Sequence, residues 1–193
     1  MKKAFISFAI VAAGLLMASC GSKGSGSNSG SASTEVVVPD GYKTYEFTNF
    51  TISVPEEFTP GEEQNYDGST TVRFSSEKLH LHDDGDEYSS SAYINCGSMT
   101  GGATPSQIKE TAQNLKLGQE ATGETCDEPT IDGNTILMRH YYTNDDGSKV
   151  ITWRWWIVSE DGKNISGSIY YDGTESKYYD DVAKKIVKTI KMK

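Results

Sequence analysis

The stretch VITWRWWIV, from Val150 to Val158, constrains the fold more than any other part of the chain. Side chains alternate between the two faces of an extended strand. Ile151, Trp153, Trp155 and Ile157 then share one face, and Val150, Thr152, Arg154, Trp156 and Val158 share the other. Both faces are largely apolar, so the segment is predicted to be a central strand covered on both sides. The three tryptophans accordingly read as core rather than as a stacking platform for a sugar or base.

Other segments supply partners for that strand. FTISV and TVRF alternate apolar and polar residues, as half-buried antiparallel strands do, and KLHLH, SSAYINC, NTILMRHYYTN and KNISGSIYYDG continue the pattern. Asp132-Gly133, Asp146-Gly147, Asp161-Gly162 and Asp172-Gly173 mark turns or strand exits. Two segments have helical periodicity instead. In TPSQIKETAQNLKLG, Thr104 and Gln107 have capping-box spacing and Pro105 suits the first turn. Ile108, Ala112 and Leu115 fall on one face, and Gly118 is expected to end the element. From Glu175 to Ile190, Tyr179, Val182, Ala183, Ile186, Val187 and Ile190 form an apolar stripe, with lysines crowding the C-terminal end. Strands with one inserted and one terminal helix predict an α+β fold, an antiparallel sheet with helices packed on it.

The first 40 residues have a different character. Lys2 and Lys3, an apolar run from Ala4 to Met17, and small residues before Cys20 read as a secretion signal over residues 1–19, too short for a lasting membrane span. LMASC resembles a bacterial lipoprotein signal, which implies a diacylglycerol on Cys20 and a membrane anchor. Met17 stands where that pattern usually has Leu. Residues 20–40 include GSKGSGSNSGSAS, which cannot bury apolar surface and reads as a flexible tether. Residues 41–193 are expected to form a single domain in the cell envelope, outside the cytoplasm, at a periplasmic or surface location. A formal charge of -9 without a basic stripe argues against nucleic acid as a partner and against direct binding to anionic lipid headgroups. Cys96 and Cys126 are then an even pair in an oxidising compartment, either bridged or two buried free thiols.

The order FTISVPEEF, the ATPSQIKETAQNLK helix, NTILMRHYYT, KVITWRWWIV, NISGSIYY and the closing VAKKIVKTIK helix resembles the Mog1/PsbP-like domains, which include bacterial envelope lipoproteins. The resemblance covers nearly all of the domain and rests on element order rather than on a specific motif. It implies an α/β/α sandwich that serves as a noncatalytic binding or assembly-support module, with an envelope protein as a possible partner. It brings no catalytic residues.

Nucleophile-elbow, zinc-protease, P-loop and dinucleotide-binding motifs are all missing from the sequence. The densest set of metal ligands is HLHDDGDE: His80 and His82 alternate on one side of a strand, followed by Asp83, Asp84, Asp86 and Glu87. Two such imidazoles can share Zn²⁺ or Cu²⁺ if a third ligand joins them, with the acids nearby and His140 further away as candidates. The acids lack the spacing of a calcium loop. The competing reading is a polar strand face opposite Leu79 and Leu81, followed by a solvated turn. Three functions are therefore weighed: a tethered binding module without a cofactor, a metal-binding envelope protein, and a hydrolase with dispersed residues.

Overall fold

VITWRWWIV becomes an interior strand of a large antiparallel sheet. The structure, a computed structural model, describes residues 37–80, 91–173 and 176–193. The segment read as a secretion signal, Cys20, the Gly/Ser stretch expected to be a tether, and His82, Asp83, Asp84, Asp86 and Glu87 lie outside the described residues. In chain order the strands are β1 (Tyr42–Glu46), β2 (Phe50–Pro55), β3 (Thr59–Pro60), β4 (Gln64–Tyr66), β5 (Ser69–His80) and β6 (Ser91–Met99). A short 3₁₀ turn at Pro105–Gln107 leads into helix α1 (Ile108–Glu120). There follow β7 (Thr125–Cys126), β8 (Thr130–Asp132), β9 (Thr135–Thr143), β10 (Lys149–Val158), β11 (Asn164–Asp172), helix α2 (Ser176–Val187) and β12 (Lys191–Met192).

The main sheet has the order β3-β5-β6-β11-β10-β9-β7, with β4 on β5 and β8 on β9; a small sheet has the order β1-β2-β12. The strand pairs are antiparallel. TVRF and KLH are parts of one strand, β5, whose register with β6 shifts between Ser75 and His80. The turn from β4 to β5 is Asp67-Gly68, both with positive φ (47° and 76°), the backbone that a tight two-residue hairpin demands.

Gln107 completes its half of the capping box by accepting from the Thr104 backbone N–H at 3.0 Å. Gly118 does not end α1, which runs on to Glu120. The stop comes at Gly123, where φ is 89°. Gly118 sits in open space, so a helical glycine is tolerated there without a packing role. The terminal helix is shorter than its apolar stripe, because Lys191 and Met192 leave it to pair with Thr51 and Phe50 of β2.

The helices lie on opposite faces of the main sheet. One face carries the principal core: Phe74, Ile94, Ile169, Trp155 and Ile151, closed over by Phe50 and Ile52 of the small sheet and by Tyr179, Val182, Ala183 and Ile186 of α2. Trp155 is fully buried, and its indole lies across Gly167 of β11. A Cβ at Gly167 would come within 2.4 Å of that ring and 2.5 Å of the Asn95 carbonyl oxygen, so only glycine fits. Asp180 of α2 ties the helix to this face, accepting from Trp153 Nε1 and from the Tyr171 hydroxyl, each at 2.5 Å, with Arg139 Nε 3.4 Å away.

On the other face α1 covers one end only. Ile108, Ala112 and Leu115 pack on Ile136, Val158 and Trp156. The entry to α1 is pinned by the buried Asn164 side chain, which donates to the Ala103 and Lys163 carbonyls and accepts from the Ala103 N–H and from Trp156 Nε1, all at 2.9 to 3.0 Å. Gly102 must pass so close to Asn164 that a Cβ would lie 2.1 Å from its amide.

Candidate functional site

The uncovered part of the second face is the most distinctive surface of the molecule. Register across five strands sets its side chains in transverse rows. Arg73, Asn95, Ser168, Arg154 and Met138 form one row, and Ser75, Tyr93, Tyr170, Thr152 and His140 the next. Thr71, Gly97, Ser166, Trp156 and Ile136 form the row on the other side of Arg73. Small and polar residues on β6 and β11 make a floor, β5 and β10 make walls, and the two tyrosines close one end. The result is a cleft of about 440 Å³, within the usual size of small-ligand sites. A second depression of about 230 Å³ shares Asn95, Arg154 and Ser168 with it.

Two arginines are held in place in this cleft. The Arg73 guanidinium lies 3.9 Å from the centroid of the Tyr93 ring, a cation–π stack. Arg154 Nη1 donates to Gln119 Oε1 at 3.0 Å, and the Gln119 amide donates to Glu124 Oε2 at 3.2 Å. Glu124 in turn pairs with His140 Nδ1. The chain Arg154–Gln119–Glu124–His140 therefore links the end of α1 to β9 and β10.

His140 is 3 % exposed, and its Nε2 is buried without a hydrogen-bond partner. Burial pushes the imidazole pKa below its usual value, and Arg154 adds to this; Glu124 opposes both. We take the neutral form as the ground state, because a second N–H on the ring would have no acceptor. The sequence has three arginines, Arg73, Arg139 and Arg154. Arg139 is matched by Asp127 and Asp180, each at 3.4 Å. Arg73 and Arg154 have no carboxylate partner among the described residues.

The residues singled out by sequence fall elsewhere. His80 ends β5, opposite Ser91, four strand positions from His140 on β9. At about 4.8 Å per strand that is roughly 19 Å, so His140 cannot complete a site with His80. Among the described residues no group of three His, Cys, Asp or Glu side chains could hold a metal. The possible disulfide is corrected outright. Cys96 on β6 and Cys126 on β7 are both free and again four strand positions apart, far beyond the reach of an S–S bond. Burial pushes the Cys96 thiol pKa up to about 12, as befits an inert core residue. The Arg154 side of β10 also departs from expectation: α1 covers Trp156 and Val158 but leaves Val150, Thr152 and Arg154 lining the cleft.

The chain matches no protein-family model and no curated protein. Similarity appears among solved structures. The Saccharomyces cerevisiae Ran-binding protein Mog1p superimposes with a TM-score of 0.52 at 12 % identity, over 78 % of this chain and 94 % of that one. A point mutant of Mog1 gives 0.51 at 13 % identity, over 78 % and 95 %. A Bacteroides thetaiotaomicron structure gives 0.45 at 12 % identity, with 75 % of this chain spanning only 45 % of that one. The architecture and the two Mog1 structures agree on a Mog1/PsbP-like fold: a mostly antiparallel sheet with two helices packed on it. That resemblance was legible in the order of the elements.

Proposed function

We propose that this chain is a lipid-anchored, extracytoplasmic binding protein whose Mog1-like domain captures a ligand or envelope partner on its open sheet face, without catalysis. The observation that carries the binding half is the half-covered sheet. One face is sealed by α2 and the small sheet, while the middle of the other presents ordered arginine, tyrosine, asparagine and serine side chains around a cleft. Precedent for the fold as a binding scaffold comes from its yeast neighbour, described as a Ran-binding protein. The anchor rests on MKKAFISFAIVAAGLLMASC and the Gly/Ser stretch behind it. Among the described residues no helix is long and apolar enough to cross a membrane.

Each half has its own test. Expressed in bacteria fed labelled palmitate, the chain should incorporate label and sediment with membranes, and Cys20→Ala should do neither. Label retained by Cys20→Ala would remove the anchor. For the binding half, Ser168→Trp should fill the floor of the cleft and abolish capture of the partner or ligand while leaving thermal unfolding nearly unchanged. Capture that survives this change would move the binding surface elsewhere.

A further inference from the structure

Resting on the binding reading above, we infer that the open face takes a carboxylated saccharide, with acidic groups at Arg73 and Arg154 and a sugar ring against Tyr93 and Tyr170.

Charge comes first. In a chain of net charge -9, two arginines without a carboxylate partner among the described residues share one cleft. Each is oriented before any ligand arrives, Arg73 by its stack on Tyr93 and Arg154 by Gln119. A planar fork of donors fixed in this way suits a carboxylate, which it can grip through two parallel N–H bonds. The two residues sit in the same transverse row, three strand steps apart, so their Cα atoms are separated by roughly 14 Å. That spacing suits an extended ligand with more than one acidic group better than a compact anion.

Between the arginines the floor is Asn95 and Ser168, whose amide and hydroxyl can donate to and accept from sugar hydroxyls. The tyrosines of the next row offer flat apolar area with a polar rim. An acidic peptide is the rival occupant. A peptide that binds by strand addition gains its affinity from main-chain bonds to a sheet edge. Here the cleft lies over β6, β11 and β10, strands paired on both sides, whose backbone groups are engaged in the ladder.

The test is calorimetry on the intact chain with trigalacturonate, maltotriose, succinate and an Asp/Glu tripeptide as probes. Trigalacturonate should bind at least tenfold more tightly than any of the others, and its affinity should fall steeply at about 0.5 M salt. Arg73→Gln and Arg154→Gln should each weaken it tenfold or more, and Arg73→Lys should restore little. Circular dichroism and thermal unfolding confirm that each variant folds, and exposed Arg73 serves as the arm least exposed to misfolding. Equal binding of succinate or of the tripeptide would overturn the saccharide assignment. Equal binding of maltotriose, indifferent to both arginine variants, would overturn the acidic assignment while leaving the face a binding surface. Failure of every probe at about 5 mM would overturn the inference as well. Failure of the broader reading looks different: an authentic partner would bind the Ser168→Trp protein as well as the unaltered chain.

Discussion

The five central strands of the main sheet contribute to both of its faces, yet the two faces are built differently. Odd and even positions of β10 illustrate the difference. Trp153 and Trp155 point into a layer sealed by α2 and β2, whereas Thr152 and Arg154, one residue away, line an open cleft. On the sealed face the packing is close enough that Trp155 occupies the place of the missing Cβ of Gly167. On the open face the ordered groups are polar and their hydrogen-bonding capacity is only partly used. Stability is thus concentrated on one side, and the binding proposed above belongs to the other.

Substitutions on the two sides should separate accordingly. The largest effect is expected from Trp155→Ala, which leaves a cavity at the centre of the sealed face and should cost about 3–5 kcal/mol. Denaturant unfolding would show it as a lowered midpoint. Asp180→Ala comes next. It strips the shared acceptor from Trp153 and Tyr171 and one of two carboxylates from Arg139, for about 1–3 kcal/mol. Its burial and Asp180 already keep the Tyr171 hydroxyl pKa far above the ordinary tyrosine value, so alkaline titration should leave it protonated in the folded chain.

An intermediate effect belongs to pH. His140 has a lowered pKa in the folded state, so the unfolded chain takes up its proton more readily. Stability from this group is therefore present above the unfolded value of about 6.5 and is lost as pH falls through it. Melting temperatures should drop more steeply from about pH 7.5 to 5.5 in the unaltered chain than in His140→Asn. Glu124 and Arg154 face the same ring, and a slope that persists in His140→Asn would show that the effect does not come from this imidazole. The smallest change in stability is expected for Arg73→Gln, about 0.5 kcal/mol, because that side chain is exposed and its stack on Tyr93 is a surface contact. A large loss there would erase the division between the faces.

How much of this was legible in sequence follows the same division. The sealed face writes itself as alternation, since Val72, Phe74, Ile94, Ile151 and Trp155 must all point inward, and strand order plus two amphipathic segments led to the fold. The open face leaves no such mark. Arg73, Asn95, His140, Arg154 and Ser168 come from five strands spread over nearly a hundred residues, and only register brings them together. Local density of ligand-type residues drew attention to HLHDDGDE instead. One available signal was the scarcity of arginine: three in the whole chain, each at the centre of a strand. The covered-on-both-sides reading of β10 failed for a related reason. Helix α1 is long enough to cover β9 and one end of β10, and no more.

The division of labour between the faces is tested most directly by mapping backbone amide NMR shifts of the intact chain on addition of trigalacturonate. Shifts confined to Arg73, Tyr93, Asn95, Arg154, Ser168, Tyr170 and their strand neighbours are predicted. Shifts clustered on α2 and the small sheet, with the cleft unmoved, would contradict the account.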